Sequence, residues 1–158
     1  MTRSAALFIA ILVAIVQVCT AFYFTDGVYE LELERHLLTG NSRGGPAELI
    51  PKGQSADQLW RVTQDETSLV TISNEKSGLY LAFNEDPEPN KFLILSDAPL
   101  SWKLSQIDDK FFIEAVKEFE GRRLVAAISP IRIWPPPAAL SWAQKSDDQK
   151  WTLTKIAD

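Results

Sequence analysis

His36 is the only histidine in the 158-residue chain, and so the only imidazole available as base for a Ser-His-Asp or Cys-His arrangement. It stands beside Leu37 and Leu38 at a strand start, with no Gly-x-Ser-x-Gly turn elsewhere, and reads as a packed loop histidine. Cys19, the sole cysteine, lies in an N-terminal apolar run, which leaves no thiolate and imidazole set for zinc. Carboxylates concentrate in Asn84-Glu85-Asp86-Pro87-Glu88-Pro89-Asn90, in Asp108-Asp109 and in Asp147-Asp148. Calcium takes about six to eight oxygens in a fixed order, usually around a sharp Gly turn. None of the three clusters supplies that order, and they read as solvated acidic turns. No feature singles out a carboxylate pair for glycoside hydrolysis, and Gly-rich phosphate cradles are absent. The expectation is a protein that is not an enzyme and needs no metal or cofactor.

Two segments remain that could bind. Asn41-Ser42-Arg43-Gly44-Gly45-Pro46 is a turn-rich stretch offering one basic side chain, Arg43. Trp134-Pro135-Pro136-Pro137 is a proline run, which either presents an extended surface to a partner or makes a rigid connection from the last hairpin to the closing strand. Trp142 follows closely and could pack on that run. A third reading makes these aromatics a contact surface for a protease or a sugar.

The elements that must carry these segments repeat. Trp60-Arg61-Val62-Thr63-Gln64, Trp102-Lys103-Leu104-Ser105-Gln106 and Trp151-Thr152-Leu153-Thr154-Lys155 share one pattern, with Trp and Val or Leu on one face. Self-similarity at this spacing marks units that cannot bury their apolar faces alone. From Gly27 onward, short β-like runs alternate with turn residues. The first unit has 27–33, 36–39, 47–50 and 58–62, and the second 69–72, 78–82, 92–95 and 101–104. The third has 111–114, 124–127, Ile131-Arg132-Ile133-Trp134 and 150–153. Three units of four strands predict an all-β fold, a β-trefoil in which outer strands form a barrel and the middle hairpins cap one end. Each closing Trp would plug the barrel. A sandwich is the alternative.

Apolar residues make up 46% of the chain, enough for one globular domain, and the formal charge is −5. With no basic run, nucleic acid is excluded as a partner, because phosphate contacts need a Lys/Arg surplus. Met1-Thr2-Arg3-Ser4, an apolar run from Ala5 to Val16 and the small residues Cys19-Thr20-Ala21 form a secretory signal with cleavage after Ala21. The expected organisation is a signal peptide over 1–21, a short leader over 22–26 and the trefoil over 27–158. The protein is then secreted, without stable membrane association. The competing reading is an uncleaved signal anchor reaching Phe24, roughly one bilayer span. Without Cys19 the mature domain has no disulfide, and no Asn-x-Ser/Thr sequon is present.

Leu37-Leu38-Thr39-Gly40-Asn41 leading to Gln58-Leu59-Trp60, together with Ile128-Ser129-Pro130-Ile131-Arg132-Ile133-Trp134-Pro135-Pro136 before Gln149-Lys150-Trp151-Thr152, resembles the fungal β-trefoil serine-protease inhibitors of the cospin type. The resemblance spans residues 27–155. It implies reversible inhibition of trypsin-like or chymotrypsin-like proteases by an exposed loop between the second and third strands of the first unit. The matching residues here are Asn41, Ser42, Arg43, Gly44 and Gly45. An Arg can meet the buried carboxylate of a trypsin-like pocket with its planar fork. Gly44-Gly45 would leave such a loop floppy unless contacts elsewhere pin it.

Gln58-Leu59-Trp60 and Gln149-Lys150-Trp151 also resemble the Gln-x-Trp phrase of ricin-B-like lectins, which share the trefoil; Leu100-Ser101-Trp102 breaks it. That resemblance implies carbohydrate binding wherever a unit adds an early acidic residue, a partner aromatic and an Asn. The first unit has no acid after Leu38-Thr39, while Asn84, Glu85 and Asp86 after Leu81 come closer to the pattern.

Overall fold

In a computed structural model, described for residues 24–158 apart from Lys145, the alternating runs form twelve strands. They are β1 (Gly27–Leu33), β2 (His36–Thr39), β3 (Glu48–Pro51), β4 (Trp60–Gln64), β5 (Val70–Asn74) and β6 (Tyr80–Ala82). The remainder are β7 (Ile94–Ser96), β8 (Ser101–Ile107), β9 (Lys110–Ala115), β10 (Leu124–Ile128), β11 (Ala138–Trp142) and β12 (Thr152–Ala157). The expected signal peptide over 1–21 and the first two residues of the leader lie outside the described residues.

Outer strands close a ring. β1 pairs with β4, β4 with β5, β5 with β8 and β8 with β9. Reciprocal bonds between Phe111 and Trp151 bring β9 to the last strand, and β12 returns to β1. The hairpins β2–β3, β6–β7 and β10–β11 cap one end. Their threefold relation is written in the backbone. Ala47 N–H donates to Leu93, Leu93 to Ala138 and Ala138 to Ala47, at 2.8, 2.9 and 2.8 Å.

The three tryptophans do what their repetition predicts. Trp60, Trp102 and Trp151 are fully buried, and their Nε1–H groups donate to the carbonyls of Leu38, Leu81 and Ala126 at 2.8, 2.9 and 2.9 Å. Each closing strand is thereby tied to the second strand of its own unit. Burying an indole removes on the order of 200 Å² from water, about 5 kcal/mol at the usual area coefficient. Leu31, Leu33, Val62, Ile72 and Ile113 fill the space between them.

One strand falls elsewhere than the sequence pattern suggests. Ile131-Arg132-Ile133-Trp134 alternates like a strand but is a loop, in which Ile133 N–H turns back to the Ile131 carbonyl at 3.0 Å. Prolines on both sides deny it ladder donors. The strand is the later β11, whose Ala138, Ala139 and Leu140 are buried. The proline run therefore lies inside the third hairpin, not between that hairpin and the closing strand. Trp142 does not pack on it; its ring meets Phe119 at 5.8 Å, and Arg122 lies over it at 3.9 Å.

Candidate functional site

Gln58 and Gln149 show what the Gln-x-Trp phrase does here. Gln58 Oε1 accepts from Gly53 N–H at 2.9 Å, and its amide donates to the Pro51 carbonyl at 3.1 Å. Gln149 Oε1 accepts from Gln144 N–H at 2.7 Å, and its amide donates to the Trp142 carbonyl at 2.8 Å. Both are buried clamps that satisfy the polar backbone of the connection into the closing strand. In the second unit that connection, from Ser96 to Ser101, is much shorter, and Leu100 packs against the core in place of a clamp. The phrase is structural in both units that carry it.

Immediately after the Trp-bonded carbonyls, and after the leucines paired with them, no unit carries a carboxylate or an aromatic. The residues after the Trp-bonded carbonyls are Thr39, Ala82 and Ala127, and those following the paired leucines of the third strands are Ile50, Ser96 and Ser141. The acidic stretch of the second unit is engaged otherwise. Lys91 Nζ donates to the carbonyls of Asn84 and Asp86 at 2.8 and 2.5 Å, and Asp86 pairs with Lys117 at 2.5 Å. That pairing holds the Asp86 carboxyl below its ordinary range, chiefly through the hydrogen bond from Lys117. Phe83 turns inward onto Trp102, 5.5 Å away. Among the described residues no group of three or more His, Cys, Asp or Glu is placed to hold a metal ion.

Asn41, Ser42, Arg43, Gly44 and Gly45 form the β2–β3 connection, and it is pinned. Gly44 N–H donates to Leu95 at 2.7 Å, Leu95 N–H to Gly45 at 3.2 Å and Gly45 N–H to Ser42 at 2.9 Å. Gly44 has φ +72°, a conformation that costs glycine little. The Asn41 amide donates to Glu48. The floppiness expected from Gly44-Gly45 is thus removed by main-chain bonds to the second unit. Arg43 is 71% exposed and pairs with Asp97 at 2.8 Å.

The equivalent connection of the third unit differs. Gly44 and Asn90 occupy matching places, and Asn90 N–H donates to Leu140 at 2.7 Å as Gly44 N–H does to Leu95. Pro135 stands in the third such place and has no N–H to give. Here the chain swings outward: Ile131, Ile133 and Trp134 are 48, 54 and 70% exposed, three of the five large exposed apolar residues among those described. Trp134 meets the His36 ring edge-on at 6.0 Å. His36 Nδ1–H donates to the Glu34 carbonyl at 2.9 Å, which leaves Nε2 as the acceptor of the neutral ring.

A groove of roughly 490 Å³ connects to this aromatic pair through Glu34, which accepts the His36 hydrogen bond. It is lined by Glu34 from the first unit, Asn90 from the second, and Ser129, Ser141, Gln144 and Asp148 from the third. Pro130, at the start of the apolar loop, completes the wall. Asp57 and Asp148 are counterparts, each preceding a clamp glutamine. The Asp57 carboxylate pairs with Lys76 at 3.2 Å, whereas Asp148 has no ion-pair partner among the described residues. Neighbouring Asp147 is held below the ordinary aspartate range by its hydrogen bond from Lys150. Sequence reasoning took Asp148 for a solvated turn residue; only its spacing to the clamp and the Trp marked the position.

No protein-family model matches the chain, and no curated protein matches it in sequence. Solved structures do match in fold. The Rhizoctonia solani agglutinin is 19% identical with a TM-score of 0.74, over 85% of this chain and 98% of its own. A Macrolepiota procera ricin B-like lectin in complex with lactose is 17% identical with a TM-score of 0.72, over 85% and 99%. The designed threefold-symmetric protein ThreeFoil is 16% identical with a TM-score of 0.71, over 83% and 100%. At these identities the likeness establishes the fold. The chain is a β-trefoil.

Proposed function

We propose that this chain is a non-enzymatic, carbohydrate-binding β-trefoil whose site combines the third-unit groove with the exposed Trp134. The observation that carries this reading is an exposed indole braced by His36, whose hydrogen-bond partner Glu34 also lines a groove of carboxylate, amide and hydroxyl groups. Sugars present C–H faces that stack on aromatic rings and hydroxyls that pair with planar acceptors and donors, so this combination suits them. The lactose complex of a fold neighbour supports the same class of ligand. A leader removed on export would deliver the domain to extracellular glycans, and mass measurement of the secreted chain tests for cleavage after Ala21.

Binding of mono- and disaccharides and of an arrayed glycan set, measured for the protein, Trp134→Ala and Asp148→Ala, tests the site. The expected result is saturable binding weakened at least about tenfold by each substitution, or about 1.4 kcal/mol. Binding that both variants retain in full would place the site elsewhere. Absence of binding to any glycan would end the reading.

The second reading is serine-protease inhibition through residues 41–45. The pinned backbone of that loop favours it, because a rigid loop loses little entropy on docking. Steady-state inhibition of trypsin and chymotrypsin, with Arg43→Ala alongside, decides it. Trypsin inhibition weakened about a hundredfold by the substitution, about 2.7 kcal/mol, supports the loop. Inactivity against both enzymes removes it.

A further inference from the structure

We infer that the outer face of β8, β9 and β10 carries a second site, separate from the Trp134 groove, which takes a monovalent carboxylate on a small ligand with an apolar or ring-shaped body.

The site is built around Glu114. This carboxylate on β9 is 2% exposed, and both its oxygens are engaged, one by the Ser105 hydroxyl and the other by Arg123 Nε–H. A buried ion pair contributes little stability that a well-packed apolar pair would not. What Glu114 does is hold Arg123 by one nitrogen. The two terminal nitrogens of Arg123 have no partner among the described residues, and its side chain is half exposed. The backbone beneath it is fixed as well, since Ala143 N–H donates to the Arg123 carbonyl at 3.0 Å. The result is a pre-oriented donor fork, the geometry that pairs in two bonds with a planar carboxylate.

Lys103 supplies the second cation. It lies directly opposite Glu114 in the β8–β9 register, and so on the same face of the sheet. It is exposed and has no partner among the described residues. A groove of roughly 470 Å³ runs between these groups, with Gln144 at one side and Ile107 and Phe112 providing apolar surface. The charges set the valence. Glu114 offsets Arg123, and Arg122 is committed to the Trp142 face. Among the described lining residues Lys103 therefore leaves one net positive charge, on a chain whose overall charge is −5. That surplus matches a monoanion better than a phosphate dianion.

An acidic sugar and a simple aromatic acid both carry this chemistry, and the test separates them. The amide spectrum of the isotopically labelled protein is followed during titration with glucuronate, with benzoate and with the neutral methyl ester of each. The expected result is saturable shifts at Ser105, Arg123 and Gln144 for at least one acid, with the ester at least tenfold weaker. Lys103→Ala and Arg123→Lys should each weaken the response about tenfold. The latter keeps a cation on Glu114 while removing the fork, and Lys103→Ala alters only an exposed side chain, so a folded reporter is retained. Trp134→Ala should leave the response unchanged, which separates this site from the proposed glycan groove. A response to glucuronate alone assigns an acidic sugar, and one to benzoate alone an organic acid. No saturable shift with either acid overturns the inference. So do equal responses to acid and ester, shifts centred on the Trp134 groove, or binding untouched by both variants.

Discussion

The first and third units carry the same connection between their middle strands, yet the first is tied by its backbone up to Gly44, whereas the third keeps the Leu49–Pro136 bond and leaves residues 130–134 exposed beyond it. In the first, Gly44 and Gly45 give and take main-chain bonds with Leu95, and the exposed tip carries a charge already paired with Asp97. In the third, Pro135 lacks the donor, the chain departs from its symmetric path, and Trp134 and two isoleucines face solvent. The contrast extends to the carboxylates before the clamps, since Asp57 is paired and Asp148 has no ion-pair partner among the described residues. A repeated scaffold uses its symmetry for stability. Its distinctive surface arises where one copy breaks the pattern.

If the barrel supports both connections alike, its tryptophans must be equally indispensable. Trp60→Ala, Trp102→Ala and Trp151→Ala should each destabilise by about 3–5 kcal/mol, since each leaves a large cavity and orphans a buried carbonyl. Chemical denaturation would show it, and one variant costing under about 1 kcal/mol would break the threefold account. Gln58→Leu and Gln149→Leu come next, at about 1–3 kcal/mol, because each removes at least two hydrogen bonds made by a buried amide, at roughly 0.5–1.5 kcal/mol apiece. A cost for Gln149 well below that for Gln58 would show the third-unit groove already wet enough to satisfy the backbone. Trp134→Ala then separates surface from scaffold. It should leave stability within about 0.5 kcal/mol while removing sugar binding, and a larger loss would make Trp134 a packing residue of the His36 hairpin.

Most of the architecture was legible because the buried face repeats. Trp60, Trp102 and Trp151 announce themselves by type and neighbours, and period-2 alternation in 27–33 marks β1 directly. β11 was not legible, since Ala138 and Ala139 carry little strand propensity and owe their place to the Ala47–Leu93–Ala138 triangle. The alternating isoleucines upstream looked better and lost to the prolines around them. The candidate groove was hidden for another reason: Glu34, Asn90 and Asp148 come from three units and meet only through the cap. Nor could the sequence show that Gly44-Gly45 is rigid, because the bonds that hold it are made by the backbone of a different unit.

Acid should loosen the units unevenly but mildly. Asp65, bonded by the Thr67 hydroxyl, and Asp86, bonded by Lys117, both have carboxyls held below the ordinary value of 3.8. A depressed folded-state pKa contributes stability above the unfolded value and loses it as pH falls through the folded one. Stability should therefore be flat above that range and decline only below about pH 4, with Asp65→Asn reducing the decline in a pH series of unfolding curves.

Arg43→Ala should produce the smallest effect and sharpen the comparison most. The Arg43–Asp97 pair is exposed at both ends, so its removal should change stability by no more than about 0.5 kcal/mol, and less in high salt. The loop should keep its shape, because Gly44, Gly45 and Leu95 hold it through the backbone. Hydrogen exchange at Gly44 and Leu95 is the measurement. Unchanged protection in Arg43→Ala would show that the first-unit loop is rigid independently of its charge, leaving Arg43 available to a partner at the cost of one weak ion pair. Protection lost in the variant would mean that the ion pair organises the loop. Displacing Asp97 would then unmake the surface, and the first unit would be no better prepared to bind than an ordinary solvated turn.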